Sequence, residues 1–350
     1  MSVRYIGSKA RLVDSIVPLI GLPDRGGQFV DAFCGTGVVA EAAARAGWRI
    51  RLNDHLLSAV TMSHARLVPR QGAAFTELGG YAQAVERLNQ ASPLQGFLWR
   101  EYSPASQAHA GVERRYFTEK NAALIDGIRS TLSVWHTEGV LSLSEERLLL
   151  ADLLLAANAV ANIAGTYGCF LSQWSAKSQC ALALRPRMLF PFPVDVQATV
   201  SDVAAVQTGS EDVVYLDPPY TKRQYAAYYH VLETIAAGDT PSVGGITGLR
   251  PWREKASDFC YRKRALSAVV KLVLRQAARR VLLSCSSQGH VAVQPLAEAL
   301  AAAGSVTVVP LKEVVRYTPN RAAREAGRAV TEYVLIIERT FHVATETGSK

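Results

Sequence analysis

The sequence is poor in cysteine, in acidic charge and in long apolar runs, and each shortage removes a class of protein. Its 350 residues hold five cysteines, Cys34, Cys169, Cys180, Cys260 and Cys285. They are scattered, odd in number and never spaced as CxxC, so neither a disulfide framework nor a zinc knuckle is expected and no metal ligands are assigned. No apolar run reaches the roughly 18 residues that spanning a bilayer requires. Arg4, Lys9 and Arg11 are not followed by the apolar stretch of an export signal. A reducing cytoplasm without membrane anchoring is the expected setting. Repeats of 20 to 50 residues are also missing, which excludes solenoids and propellers, and the only biased segments are short Ala-rich runs such as 297–303.

What remains is the profile of a compact globular chain: 49% hydrophobic and 19% charged residues, long enough for one large core with an insertion or for two cores. Lys and Arg number 38 against 30 Asp and Glu, a balance compatible with a polyanionic partner.

Gln28 to Ala32 is a short apolar run around Asp31, followed by Cys34-Gly35-Thr36-Gly37 and the Ala-rich stretch from Val38 to Ala46. That order reads as strand, glycine turn, helix. Arg49 to Leu52 reads as a second strand, ending at Asn53-Asp54. The unit is β-α-β, the start of a doubly wound α/β sheet. From about 66 to 195 the pattern turns to amphipathic helices such as Glu145 to Val160, with an aromatic and glycine-rich stretch from Gly165 to Trp174. We read this region as an insertion. Strand signals resume at Val213 to Leu216, Arg280 to Ser284, Ser305 to Val309 and Thr331 to Ile337, with a helix from Ala265 to Ala278. The core is thus expected over 1–65 and 196–350.

The glycine turn lacks the GxGxxG spacing that rests a pyrophosphate on a helix N-terminus. Glycines at 35 and 37 let the backbone approach a bulky ligand, and Asp54 at the next strand end can accept hydrogen bonds from a ribose diol. S-adenosylmethionine has that shape, although an ordinary strand-to-helix turn reads the same way. Asp217-Pro218-Pro219-Tyr220 is more specific. Two prolines directly after a strand hold the backbone extended and offer no amide hydrogens, where doubly wound folds place their ligands.

This constellation suits methylation of an exocyclic amine on a nucleobase. The nitrogen lone pair is delocalised into the ring. Hydrogen bonds from the amino group to the Asp217 carboxylate and the Pro218 carbonyl draw the nitrogen towards tetrahedral geometry and free that pair. Tyr220 would stack on the base, which must be flipped out of a duplex. Methylation at cytosine C5 needs a Pro-Cys nucleophile, and the chain contains no such pair.

On these motifs the chain resembles the Dam-like D12 class of DNA adenine methyltransferases, in which the cofactor motifs precede the DPPY motif. Arg4 to Lys9, including Tyr5, is similar to the family's N-terminal cofactor motif, and Asp31 to Gly37, including Phe33, Cys34, Gly35 and Thr36, to its glycine motif. Asp54 stands for its ribose-binding acid. Ser201-Asp202-Val203 resembles the strand end that holds the cofactor adenine, with Val203 where members usually carry Phe. Gly165 to Gly168 and Phe170 are similar to the segment ahead of the family's target-recognition hairpin, and Ser284 to Ser287 to the strand lining the base pocket. The resemblance implies a Rossmann-like methyltransferase sheet with S-adenosyl-L-methionine as cofactor and double-stranded DNA as partner. It places recognition elements in the insertion over 66–195. A restriction endonuclease acting separately is a compatible partner.

Lys9 reads either as a terminal surface lysine or as a cation near the cofactor and target, and its place after Gly7 favours the second. Cys34 reads as a small buried filler rather than a nucleophile. Between Arg250 and Arg280 stand ten basic residues against two acids. Solvated helix faces can look like this, but Trp252 and Tyr261 among the cations favour DNA backbone contact, with Arg262, Lys263 and Arg264 as the sharpest group. Arg316, Arg321, Arg324 and Arg328 form a second cluster, read as a long hairpin loop reaching a groove. Adenine N6 is the favoured target. Cytosine N4 by the same mechanism, an RNA methyltransferase and a DNA-binding protein without turnover stay open, and the recognition sequence is not readable.

Overall fold

The computed structural model describes residues 5–23, 26–314 and 330–339. Among these residues seven strands form one sheet: β1 (Phe29–Asp31), β2 (Ile50–Asp54), β3 (Val196–Val200), β4 (Val213–Leu216), β5 (Arg280–Ser286), β6 (Ser305–Val314) and β7 (Val330–Glu338). Their order is β3-β2-β1-β4-β5-β7-β6. β1 to β5 run parallel and β7 is antiparallel to both neighbours. β1 and β4 are buried along their whole length, as continuous apolar runs in a parallel sheet covered on both faces must be.

Among the described residues twelve α-helices accompany the sheet: α1 (Val13–Ile20), α2 (Val38–Arg45), α3 (Leu57–Ala65), α4 (Tyr81–Asn89), α5 (Phe97–Tyr102), α6 (Gln107–Ala110), α7 (Glu119–Thr137), α8 (Leu143–Val160), α9 (Tyr225–Tyr228), α10 (His230–Ala237), α11 (Arg262–Arg275) and α12 (Val293–Leu300). One face of the sheet packs with α1 and α2 around Phe29, Trp48 and Tyr215, the other with α11 and α12 around Val30, Val214 and Leu283. A third core joins α4, α5, α7 and α8 with Leu56 just ahead of α3, Ala59 and Met62 of α3, Tyr229 just ahead of α10, and Val231, Leu232 and Ile235 of α10. The helical body therefore recruits elements from both sides of 66–195.

The strands match their sequence signals to within a few residues, but β3 carried no strand signal of its own. It is an edge strand with half-exposed and exposed positions throughout, so no apolar run marks it. α11 starts and stops three residues ahead of the expected 265–278. The reason is at its end: the amides of Ala277 and Ala278 donate to the Thr208 hydroxyl at 2.9 and 3.1 Å instead of continuing the helix. Between residues 171 and 195 only an isolated bridge from Pro69 to Phe190 interrupts irregular chain. No strand pair follows the Gly165–Phe170 segment before β3.

The strand order reverses between β1 and β4, and the cleft that this topology opens lies beyond their C-terminal ends.

Candidate active site

At that switch point lies a cleft of about 430 Å³ lined by residues from the chain start, β1, β2, the 202–204 turn and β4. Asn53 ties the strand ends together: its amide donates to the carbonyls of Ala32 and Ser201, both at 3.2 Å, while its oxygen accepts from Thr199 and Ser201.

The glycine turn is built from this frame. The Cys34 amide donates to the Asn53 carbonyl at 2.9 Å, and the Gly35 amide to Asp54 Oδ2 at 3.0 Å. Gly35 and Gly37 have φ of +49° and +76°, a region that L side chains rarely occupy. The two glycines differ in purpose. A Cβ at Gly35 would face the Tyr5 ring in the cleft, whereas one at Gly37 would fall 2.6 Å from Ser63 Cα on α3. Gly37, expected to let the ligand approach, is thus a packing glycine. Thr36 and Cys34 are buried, and burial raises the Cys34 thiol well above its ordinary value, as suits a filler rather than a nucleophile.

Asp31 ends β1 with 2% exposure, and its Oδ1 has no hydrogen-bond partner. Burial, with Asp217 and Asp54 adding repulsion, pushes its carboxyl up to about 8. Asp54 accepts from the Gly35 and Leu56 amides, both at 3.0 Å. Burial nevertheless lifts it to about 6. The edge carrying Asp54 is anchored from the helical body: Glu233 of α10 accepts from the Leu57 and Ser58 amides at the start of α3, both at 3.0 Å, and pairs with Lys255 at 2.9 Å.

Tyr5 stacks on Tyr229 with centroids 4.3 Å apart, and Tyr229 and Tyr225 hydrogen-bond the Ile6 amide and carbonyl. The chain start is therefore clamped by α9 and α10, which follow the Asp-Pro-Pro-Tyr turn directly. Lys9 is 4% exposed. Its Nζ donates to Asp217 Oδ1 at 2.8 Å and to the Tyr220 hydroxyl at 3.4 Å, so it is the buried cation and not the surface lysine. Burial raises the Asp217 carboxyl, and the Lys9 ammonium opposes that rise. Pro218 is buried and Pro219 lines the cleft, so the turn offers oxygen acceptors and no proline amides.

At the other end of the cleft Asp202 accepts from the Ala204 amide at 2.7 Å, and Val203 is 9% exposed. Phe33 meets Phe259 edge to face at 5.8 Å. Phe259, hidden in the basic stretch, brings an aromatic ring to the end of the cleft where Val203 lacks one. Arg262, Lys263 and Arg264 are exposed at the start of α11, beside the cleft-lining segment 255–259. That helix has no acid in its first turn, so three cations face the positive end of its dipole, an arrangement that favours an external anion. Arg264 is already paired with Asp258 at 2.7 Å and lies 3.9 Å over the Tyr261 ring. Arg316, Arg321, Arg324 and Arg328 lie outside the described residues.

All five cysteines are free. Among the described residues no group of three or more His, Cys, Asp or Glu could hold a metal ion, and no helix is long and apolar enough to cross a membrane.

A sheet of this order, with acidic side chains lining its switch-point cleft and a rigid proline turn beside them, defines an α/β protein whose cleft has room for a nucleoside-sized ligand. The chain belongs to the D12 class N6 adenine-specific DNA methyltransferase family, whose model matches residues 5–281. It is 31% identical to the type II methyltransferase M.FokI of Planomicrobium okeanokoites over 99% of its length and 54% of that protein's. To the modification methylase StsI of Streptococcus sanguinis it is 29% identical, covering 99% of this chain and 52% of that one. It thus spans about half the length of these two relatives. The type II methyltransferase M.NlaIII of Neisseria lactamica is 28% identical and is covered in full, by 97% of this chain.

Proposed function

We propose that this protein methylates the N6 amino group of adenine in double-stranded DNA, with S-adenosyl-L-methionine as methyl donor. The observation that carries the reading is the pair of buried Lys9 and partly buried Asp217 at 2.8 Å, set in a switch-point cleft beside Asp31 and Asp54 in a chain of this family. The residues fit the cofactor. The unpartnered Asp31 oxygen calls for a cationic donor such as an amino-acid ammonium. Asp54 keeps acceptor capacity for a diol beyond its two amide bonds. Val203 and Phe259 offer an apolar slot for a purine. When bound, the cofactor supplies a methyl group on a positively charged sulfur.

The protein's own residues prepare the acceptor. Lys9 engages one Asp217 oxygen and keeps the carboxylate ionised and oriented. The other oxygen and the Pro218 carbonyl take the two hydrogens of the target amine, localising the lone pair on nitrogen. Tyr220 stacks on the flipped base. Phosphates fall to Arg262 and Lys263, with target recognition in the helical region over 66–195 and in the 316–328 segment. The family description favours adenine over cytosine N4. The relatives' printed names, type II methyltransferase and modification methylase, support a place beside a separate restriction endonuclease. Incubating unmethylated genomic DNA with the protein and cofactor, then digesting to nucleosides, tests the reading by mass: N6-methyladenine is expected, and N4-methylcytosine or no product refutes it.

A further inference from the structure

The methyl-transfer reading above leaves one partly buried acid of the site without a task. Glu332 stands on β7 opposite Ser286 of β5, with its side chain 13% exposed. The Tyr220 hydroxyl donates to its two carboxylate oxygens at 3.3 and 3.2 Å, and Lys9 Nζ lies 3.9 Å from Oε2. Lys9 in turn donates to the Tyr220 hydroxyl and to Asp217. One ammonium therefore serves two carboxylates.

The groups facing Glu332 are Lys9 from the chain start, Asp217 and Tyr220 from the turn after β4, and Ser286 and Cys285 from β5. Burial raises the Glu332 carboxyl and Lys9 lowers it. An amino nitrogen that gains a fourth bond becomes cationic and must then lose a proton, and a base beside it speeds that loss. The cluster has a surplus carboxylate to do so.

We propose that Glu332 receives this proton, acting through Tyr220 and Lys9 rather than on the base itself; the inference rests on the methyl-transfer reading. An N–H bond of the target breaks, its electron pair stays on nitrogen, and an O–H bond forms on Asp217. Tyr220 passes its hydroxyl proton to Glu332 and takes one from Lys9, which takes the proton from Asp217. Asp217, Lys9 and Tyr220 return to their starting forms, Glu332 ends neutral, and one proton has moved. The hydrogen bonds from Lys9 to Tyr220 and from Tyr220 to Glu332 already point in the direction of transfer. Glu332 is thus a positioning and proton-receiving residue, one step removed from the reacting atoms.

The test uses the full chain with Glu332→Gln, which keeps an acceptor for Tyr220 but holds no proton-accepting charge. Affinity for S-adenosylhomocysteine and for unmethylated genomic DNA is measured by calorimetry and filter retention, and single-turnover methylation is followed from pH 6 to 9. Both affinities should stay within about threefold. The rate should fall by about 10²-fold near neutrality, the scale of a lost general base, and recover as pH rises and hydroxide replaces the carboxylate. Glu332→Asp should regain part of the neutral rate. Tyr220→Phe combined with Glu332→Gln should cost no more than the worse single change, because both break one path. An unchanged rate overturns the proposal. So does a loss equal at every pH that Asp does not rescue, which marks a structural role. If the unaltered protein makes no N6-methyladenine, the parent reading has failed instead.

Discussion

Binding of the cofactor should release close to one proton at pH 7, and Asp31 supplies it. In the free protein its carboxyl sits at about 8, so at pH 7 it is about 90% protonated. An ammonium paired with the unpartnered Oδ1 favours the ionised form and pulls the value below 7. The sign follows: the acid is neutral before binding, charged after it, and the proton leaves to buffer. Asp54, at about 6, is about 10% protonated at pH 7 and adds a minor share. The assay is titration calorimetry with S-adenosylhomocysteine, which keeps the ammonium, ribose and adenine without the reactive methyl. Run in buffers of different ionisation enthalpy, the slope of apparent enthalpy against buffer enthalpy counts protons. A slope of about one is expected at pH 7, falling towards about 0.1 at pH 9 as the free acid ionises on its own. Asp31→Asn should flatten the slope at both. A buffer-independent enthalpy for the unaltered protein at pH 7 would show that Asp31 is not the ammonium's partner.

Other outcomes follow from the same geometry. Lys9→Met removes the ammonium that opposes burial at Asp217, so the acid limb of the rate–pH profile should move up by about 1 to 2 pH units, the scale of one charge-assisted hydrogen bond; an unmoved limb refutes the pairing. Gly37→Ala meets both the left-handed backbone and Ser63 at 2.6 Å, and should destabilise the fold by about 2 to 4 kcal/mol in denaturant titration; full stability would contradict the packing role. Asp54→Ala should weaken cofactor binding by about 1 to 3 kcal/mol, and an unchanged dissociation constant assigns the ribose elsewhere. Changing Arg262, Lys263 and Arg264 together to Ala should lower the slope of log affinity against log salt by about 1.8, from two phosphates rather than three, because Arg264 already has Asp258. Unaltered DNA binding at low salt would leave these residues as a solvated face.

Legibility in the sequence followed distance along the chain. The turn from β1 to α2 and the strand ending at Asp54 lie within one short stretch, so their turn chemistry and spacing declare each other. The Asp-Pro-Pro-Tyr turn is local too, and Lys9 could be tied to it only through resemblance, since a buried pair 208 residues apart leaves no spacing signal. β3 was silent because an edge strand needs no apolar run. The helical region looked like a separate block because periodicity reports which face of a helix is apolar but not which neighbour covers it. Its core is completed by residues of α3 and α10, which lie outside the expected 66–195 block.

The acid on β7 shows where more could have been read. Along this strand Glu332, Val334 and Ile336 fall on one face by the period of two, and Val334 is fully buried on it. Glu338 shares that face at its exposed end, but a carboxylate set within the face, between Val330 and Val334, is costly unless a cation waits there. Phe259 offers the contrary case: in a stretch of ten cations no pattern separates a ring that faces a cleft from one that faces solvent. A sequence rule that asks which charge stands on a buried face would have found Glu332. It would not have found Lys9 as its partner, because that pairing exists only once β4, β5 and β7 lie side by side and bring the chain start over their ends.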